Sequence, residues 1–237
     1  MANGEACAAF CGPFSASHHK SSLLIGGQYS FYNAGSATNF SNHAYKMGPI
    51  HWGILERGTK TASGSHLLWP ARIGTFSVVM GKLMGHPRTD GLPFSYLIGE
   101  NGQTWLVPGH NIITVGLYRD IHKWPMRDMR SKDNRKSIID FDWLSPLTIG
   151  EIIRGKKILE NILKVNGDDV KEYHYHGMCI KASSLKNGLH YYDIALRLFM
   201  GQMLQLAKDN SFEGKPAWQT GLGRWSDLAG QLMPLTE

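Results

Sequence analysis

Between Gly53 and Lys82 the chain reads GILERG TKTASG SHLLWP ARIGTF SVVMGK when cut every six residues. Each block opens on a small residue: Gly53, Thr59, Ser65, Ala71, Ser77. The third place is aliphatic at Leu55, Leu67, Ile73 and Val79, with Thr61 the exception. A helix repeats every 3.6 residues and a flat strand every two, so neither keeps time in sixes. A short strand followed by a tight turn does. Three such units close one triangular coil, and each coil stacks on the last at about 4.8 Å. The third residue then fills the prism. The small first residue sits near a corner, where bulk clashes and positive φ is wanted. Extended backwards, the same frame aligns Ile25-Gly26 with Ile73-Gly74 and puts Phe31, Ala37, His43 and Pro49 on the inward place. Asn33, Asn39 and Asn42 suit corners, since Asn tolerates left-handed backbone.

After Lys82 the rhythm stops. FSYLIGENGQTWLVPG predicts two extended runs around Asn101-Gly102, a hairpin over about 92–109 that projects from the coils or closes their end. Residues 111–117 are expected to return as one more strand. From Tyr118 to Lys136 charge dominates, and an ordered surface segment or long loop is expected. Ile149, Ile152, Ile153, Leu159, Ile162 and Leu163 then recur at helical spacing after a Ser145-Pro146 start, predicting a helix over 148–164. Leu185, Leu189, Tyr192, Leu196, Phe199, Met203 and Leu206 alternate steps of four and three, predicting a second over 184–208. Its apolar seam is expected to pack within the chain rather than on a second copy. In the apolar tail Trp218, Trp225 and Leu228 are expected to dock back on the body. The organisation is thus 1–117 solenoid with inserted hairpin, 118–145 basic connecting segment and 146–237 helical region packed on the solenoid.

Ala71-Arg72-Ile73-Gly74 and Gly53-Ile54-Leu55-Glu56 resemble the hexapeptide-repeat signature, a small residue, any residue, an aliphatic, then Gly, Ala, Glu or Asp. Thr59-Lys60-Thr61-Ala62 is similar, with Thr in the aliphatic place. The longer stretches SNHAYKMGPIHWG and GTKTASGSHLLWPARIG resemble an uncharacterised bacterial family of large β-helix proteins. The resemblance implies a left-handed parallel β-helix, whereas the general crossover rule gives a right-handed coil. It also implies a transferase, commonly trimeric, that moves an acyl group from CoA or a carrier protein to a sugar or sugar nucleotide. In such proteins a His general base works in a cleft between prisms.

Composition narrows the alternatives. The 237 residues carry a formal charge of +6, which favours a phosphate-bearing small molecule. No zinc-finger spacing, RNP-type motif or long basic run points to nucleic acid, and no long apolar stretch points to a membrane. The three cysteines make no even disulfide framework, and no basic, apolar leader opens the chain, so a cytoplasmic protein is expected. No covalently bound cofactor is expected, only acyl-CoA or a sugar nucleotide as substrate. Neither GENG at 99–102 nor LIGG at 24–27 has a phosphate-loop context, and no GxSxG elbow is present.

The candidate bases are His66, His18 and His43, of which His66 holds an outward second place. His19 and His43 fall on the inward place, where a satisfied core imidazole is the blander reading. Arg119, Lys123, Arg127 and Arg130 are the candidate phosphate contacts, with Trp124 to lie against a base or sugar ring. Internal pairing with Asp120, Asp128 and Asp133 is the plainer reading of that segment. On a strand, Glu172, His174 and His176 would share one face and could meet a zinc ion, though the spacing matches no familiar motif, and no metal is assigned. The competing function is a non-catalytic binding or assembly module of a larger sugar-nucleotide-related protein. Repeat-like sequence begins almost at Met1, which predicts a piece of something longer or end-to-end pairing.

Overall fold

The computed structural model describes residues 4–40, 52–131, 139–209 and 225–235. Its body is a β-solenoid of stacked parallel strands. One ladder joins β1 (Glu5–Cys11), β3 (Leu23–Tyr29), β5 (Ile54–Leu55) and β7 (Arg72–Ile73), and is called face one below. A second joins β2 (Ala16–Ser17), β4 (Asn33–Ala34), β6 (Lys60–Thr61) and β8 (Val78–Gly81), and is face two. Parallel bridges Leu23 to Asn39, Asn39 to His66 and His66 to Lys82 mark a third face. The pairings Ile54 with Arg72 and Lys60 with Val78 set one coil at 18 residues, three hexads.

Along the strands the inward side chains are those the period singles out. Leu55, Leu67, Ile73 and Val79 are buried and belong to one hydrophobic core. Thr61 is buried among them because its hydroxyl lies 2.8 Å from both the Tyr32 hydroxyl and the Thr38 hydroxyl. A buried hydroxyl with partners is tolerated where an unpaired one would be costly. The small first residues are also buried, and the hydroxyls among them bond backbone carbonyls. Thr59 Oγ1 donates to Glu56 O at 2.6 Å, and Ser65 Oγ to Val79 O at 3.0 Å.

Two parts of the expected frame need correction. Tyr29, not Ile25, stands in line with Leu55 and Ile73. Gln28 pairs with Ile54, 26 residues on rather than 18, and that longer connection breaks the backward count. His43 and Asn42 lie outside the described residues. Positive φ also falls at the sixth place of the hexad rather than the first: Gly58 (74°), Gly64 (73°) and Phe76 (52°).

The corner between faces one and two is an aromatic column. Phe14 stacks on Phe31 with ring centres 5.5 Å apart, and Phe76 on Phe94 at 5.1 Å. Gly58 occupies the level between Phe31 and Phe76, where a Cβ would run into the Phe76 ring. The Arg57 guanidinium lies there over Phe31, 4.7 Å from its centre. An aromatic side chain in left-handed backbone is strained, and stacking against its neighbours and burial offset that cost.

The hairpin of β9 (Tyr96–Glu100) and β10 (Gln103–Val107) turns at Asn101-Gly102, both at positive φ. It does not stand away from the coil. β9 pairs in parallel with β8 and prolongs face two, and β10 continues the sheet to β12 (Met178–Lys181) and β11 (Glu172–Tyr175). Residues 111–117 are no strand: His110–Ile113 is a 3-10 turn. Thr114 then caps α1 (Val115–Arg127), so the first part of the basic segment is an ordered surface helix rather than a long loop. Leu117, Ile121 and Trp124 give it an apolar stripe beneath its charges. The helix α2 (Pro146–Asn166) starts in a capping box made by Ser145 and Thr148. The helix α3 (Ala182–Asp209) packs on it through Leu185 and Tyr192. The tail forms a hairpin of β13 (Trp225–Leu228) and β14 (Gln231–Pro234), docked near Pro13 and Ser30; Trp218 lies outside the described residues.

Candidate functional site

Strand geometry sends alternate side chains to opposite sides, so face one presents Ile54, Glu56 and Arg72 outward while Leu55 and Ile73 fill the prism. The first turns of α2 and the strand β13 stand over that face. Between them lies a cavity of about 640 Å³, lined among others by Glu56, Arg72, Asp90, Glu151, Arg154 and Asp227. The sheet, a helix and the C-terminal hairpin thus each contribute charged groups to one space.

At its floor two carboxyls are buried together. Glu56 is 8 % exposed and Glu151 2 %. Arg72 Nε donates to Glu56 Oε1 at 3.0 Å, and Thr75 Oγ1 donates to Glu151 Oε2 at 2.6 Å. Glu56 Oε2 has no fixed donor, and Glu56 shares a side-chain hydrogen bond with the Glu151 carboxyl. Burial pushes the Glu56 carboxyl up to about 7, against the pull of Arg72 and its hydrogen bond. Burial raises Glu151 well above the usual carboxylate range, and the Glu56 charge adds to that. Two adjacent carboxyls in low dielectric do not both ionise readily. Glu151 is therefore the more firmly protonated member, and Glu56 gives up its proton near neutral pH, leaving one proton between the two above that point. Arg72 also lies 3.9 Å from Asp90. Net, its guanidinium is raised: partial burial pulls it down, and Glu56 outweighs that.

Arg57 sits next to Glu56 in the chain but on the corner, 1 % exposed. Its Nη2 donates to Asp140 O, while Nε and Nη1 have no partner. Burial lowers its pKa, opposed chiefly by Asp227. Asp227 is in turn raised by burial, against Arg57 and the Gly230 amide. Ser30 Oγ donates to Asp227 Oδ2 at 3.3 Å, which ties the β13–β14 hairpin to the coil.

The expected site residues are distributed differently. His66 lies half-buried on the third face between Asn39 and Lys82, and burial followed by the Lys82 charge lowers its pKa. It is neutral at pH 7. His18 is exposed just after β2, and His43 is outside the described residues. Arg119, Lys123, Arg127 and Arg130 lie on or just after α1, which reaches face two through the ion pair of Lys60 with Asp120. The structure thus places the basic helix and His66 on different faces. Arg119 lies 3.6 Å from Asp120, and Arg130 forms a two-pronged pair with Asp128 at 2.8 and 2.9 Å. Trp124 points into the protein, 4.9 Å from the Phe31 ring and 6.1 Å from Phe76, and so packs the aromatic corner. Strand β11 ends at Tyr175, which leaves His176 in the turn rather than on the face of Glu172 and His174. Among the described residues no three His, Cys, Asp or Glu side chains converge on a metal position.

Sequence reasoning missed the Glu56–Glu151 pair. Glu56 stands in the fourth place of a hexad, where the repeat signature itself allows Glu, and nothing local links it to a helix residue far along the chain.

The architecture defines a β-solenoid protein with C-terminal α-helices, and no helix among the described residues is long and apolar enough to cross a membrane. The chain belongs to the family described as Domain of unknown function (DUF4954), whose model matches residues 1–163, a span that includes Glu56, Arg72, Glu151 and Arg154. No curated protein and no solved structure matches it.

Proposed function

We propose that this protein is a left-handed hexapeptide-repeat transferase that moves an acyl group from CoA or a carrier protein to a hydroxyl or amine of a sugar or sugar nucleotide. The observation that carries the reading is the Glu56 carboxyl, nine-tenths buried, hydrogen-bonded to Arg72 and Glu151 and lining a cavity that also holds Arg154. A carboxyl poised near 7 is matched to taking a proton from an acceptor as it attacks a thioester. Arg72 and Arg154 supply positive charge for a phosphate on the acceptor. The departing thiol then takes a proton, and Glu151 is the nearest acid. In this reading the protein acts in the cytoplasm and assembles as a trimer, with clefts between prisms open to the basic side chains Arg119, Lys123, Arg127 and Arg130.

His66 is the second base for the same reaction, because it is neutral at pH 7 and faces outward. Titration calorimetry with acetyl-CoA and with a UDP-sugar, followed by a transfer assay, separates the choices. Glu56→Gln is expected to keep binding and to lose turnover by roughly 10²–10⁴-fold, with His66→Ala near wild type. The reverse order moves the chemistry to His66. Binding of neither probe leaves the non-catalytic module, and sedimentation as a monomer removes the cleft between copies.

A further inference from the structure

A second cavity lies at the far end of face two, and the part of its wall from His174 to Cys179 is outside the 1–163 family span. It measures about 440 Å³ and is bounded by the Gly85–Pro87 loop, the β9–β10 turn and the β11–β12 hairpin. His174 and Cys179 are directly opposed across that hairpin. Their side chains meet on the cavity wall: Cys179 Sγ lies 3.6 Å from His174 Nδ1. Gln103 and Thr104 line the same space with amide and hydroxyl donors, and His176 stands at its rim in left-handed backbone. The chain has three cysteines; the other two, Cys7 and Cys11, are exposed on β1 at the opposite end of the coils.

A thiol within hydrogen-bond reach of an imidazole, both open to one pocket, is the minimum arrangement for an activated sulfur nucleophile. A packing role alone would explain the burial of Cys179. It would not explain a titratable ring held against the sulfur beside a cavity with further polar donors. A hairpin also fixes the pair well, since directly opposed residues in an antiparallel ladder keep their side chains together.

We propose that Cys179 is a nucleophile that accepts an acyl group from an activated ester or thioester, with His174 as its base. As sulfur attacks the carbonyl carbon, the thiol proton passes to His174 Nδ1 and a C–S bond forms. The tetrahedral centre collapses, the bond to the leaving oxygen or sulfur breaks, and that group departs with the proton from His174. The products are S-acyl Cys179 and a free alcohol or thiol, with no oxidant or reductant involved. This site stands apart from the Glu56–Glu151 cavity, and its chemistry does not depend on the reaction assigned there.

The test uses the full chain with Cys7→Ser and Cys11→Ser, and p-nitrophenyl acetate as the probe. Wild-type chemistry predicts a burst of one p-nitrophenolate per chain and an acetyl group on the peptide that carries Cys179. Cys179→Ala abolishes the burst. His174→Gln slows it by roughly 10²-fold or more, and added imidazole restores part of the rate. Circular dichroism checks that each variant keeps its fold. Acetyl-CoA is run in parallel. Labelling by the ester alone still supports the nucleophile while removing CoA as its donor, so the failure of the transferase reading is seen separately. No acetyl on Cys179, or equal rates with and without His174, overturns the proposal.

Discussion

Strands β5 and β7 have two sides, and the two sides follow different rules. Inward, Leu55 and Ile73 stack with Leu67 and Val79 in a prism filled at a fixed spacing, where Thr61 is admitted through its hydroxyl partners. Outward, the same face carries Arg72 and, just after β5, Glu56, whose environment is set by α2 and by the C-terminal hairpin. The inner side is periodic because each coil repeats the last. The outer side is singular, because a helix and a hairpin cover it once. A repeat can therefore be regular where it is structural and unique where another element lies against it.

The sharpest way to break this contrast is to charge the inner side. Leu67 is fully buried, and Leu67→Asp would leave a carboxylate inside the prism with no partner. The expected loss is about 4 kcal/mol or more, seen as a collapsed urea midpoint or as failure to fold. A well-folded variant with little change in midpoint would mean that the prism is not the stabilising core.

That inner side was legible from the chain alone, since six-residue spacing is dictated locally by strand length and turn. Legibility ended where spacing changed. The longer connection between Gln28 and Ile54 shifted the frame, so that Tyr29 rather than Ile25 lines up with Leu55. Charge also concealed α1: Arg119, Lys123 and Arg127 outweigh the stripe of Leu117, Ile121 and Trp124 when read as composition. Trp124 reads in the sequence as a ring for stacking on a ligand, yet it packs edge-on against Phe31 at the corner. The pairing of Glu56 with Glu151 is wholly tertiary. No spacing encodes it, because it arises only when α2 crosses face one.

A smaller effect sharpens the outer side. Glu56 binds its proton more tightly in the folded protein, at about 7 against an ordinary 4.5. Between those pH values the folded state holds more protons than the unfolded chain, so stability is present at the acid side and is lost as pH rises through about 7. Glu151→Gln keeps the shape, supplies an amide donor and removes a titrating group that burial and the Glu56 charge hold well above the usual carboxylate range. Compared with this variant, the wild-type protein should lose on the order of 1–3 kcal/mol more stability between about pH 5 and 8. The comparison cancels contributions from Asp90, Asp227, Arg72 and Arg154, which face the pair in both proteins. Parallel stability profiles would show that the two carboxyls do not interact.

The most direct measurement is an NMR titration of the glutamate side-chain carboxyl carbons, assigned with Glu56→Gln and Glu151→Gln. A shared proton predicts one carboxyl that titrates near pH 7, and a second that stays protonated beyond it while Glu56 is present. Two independent titrations near the ordinary carboxylate value of about 4.3 would contradict the account.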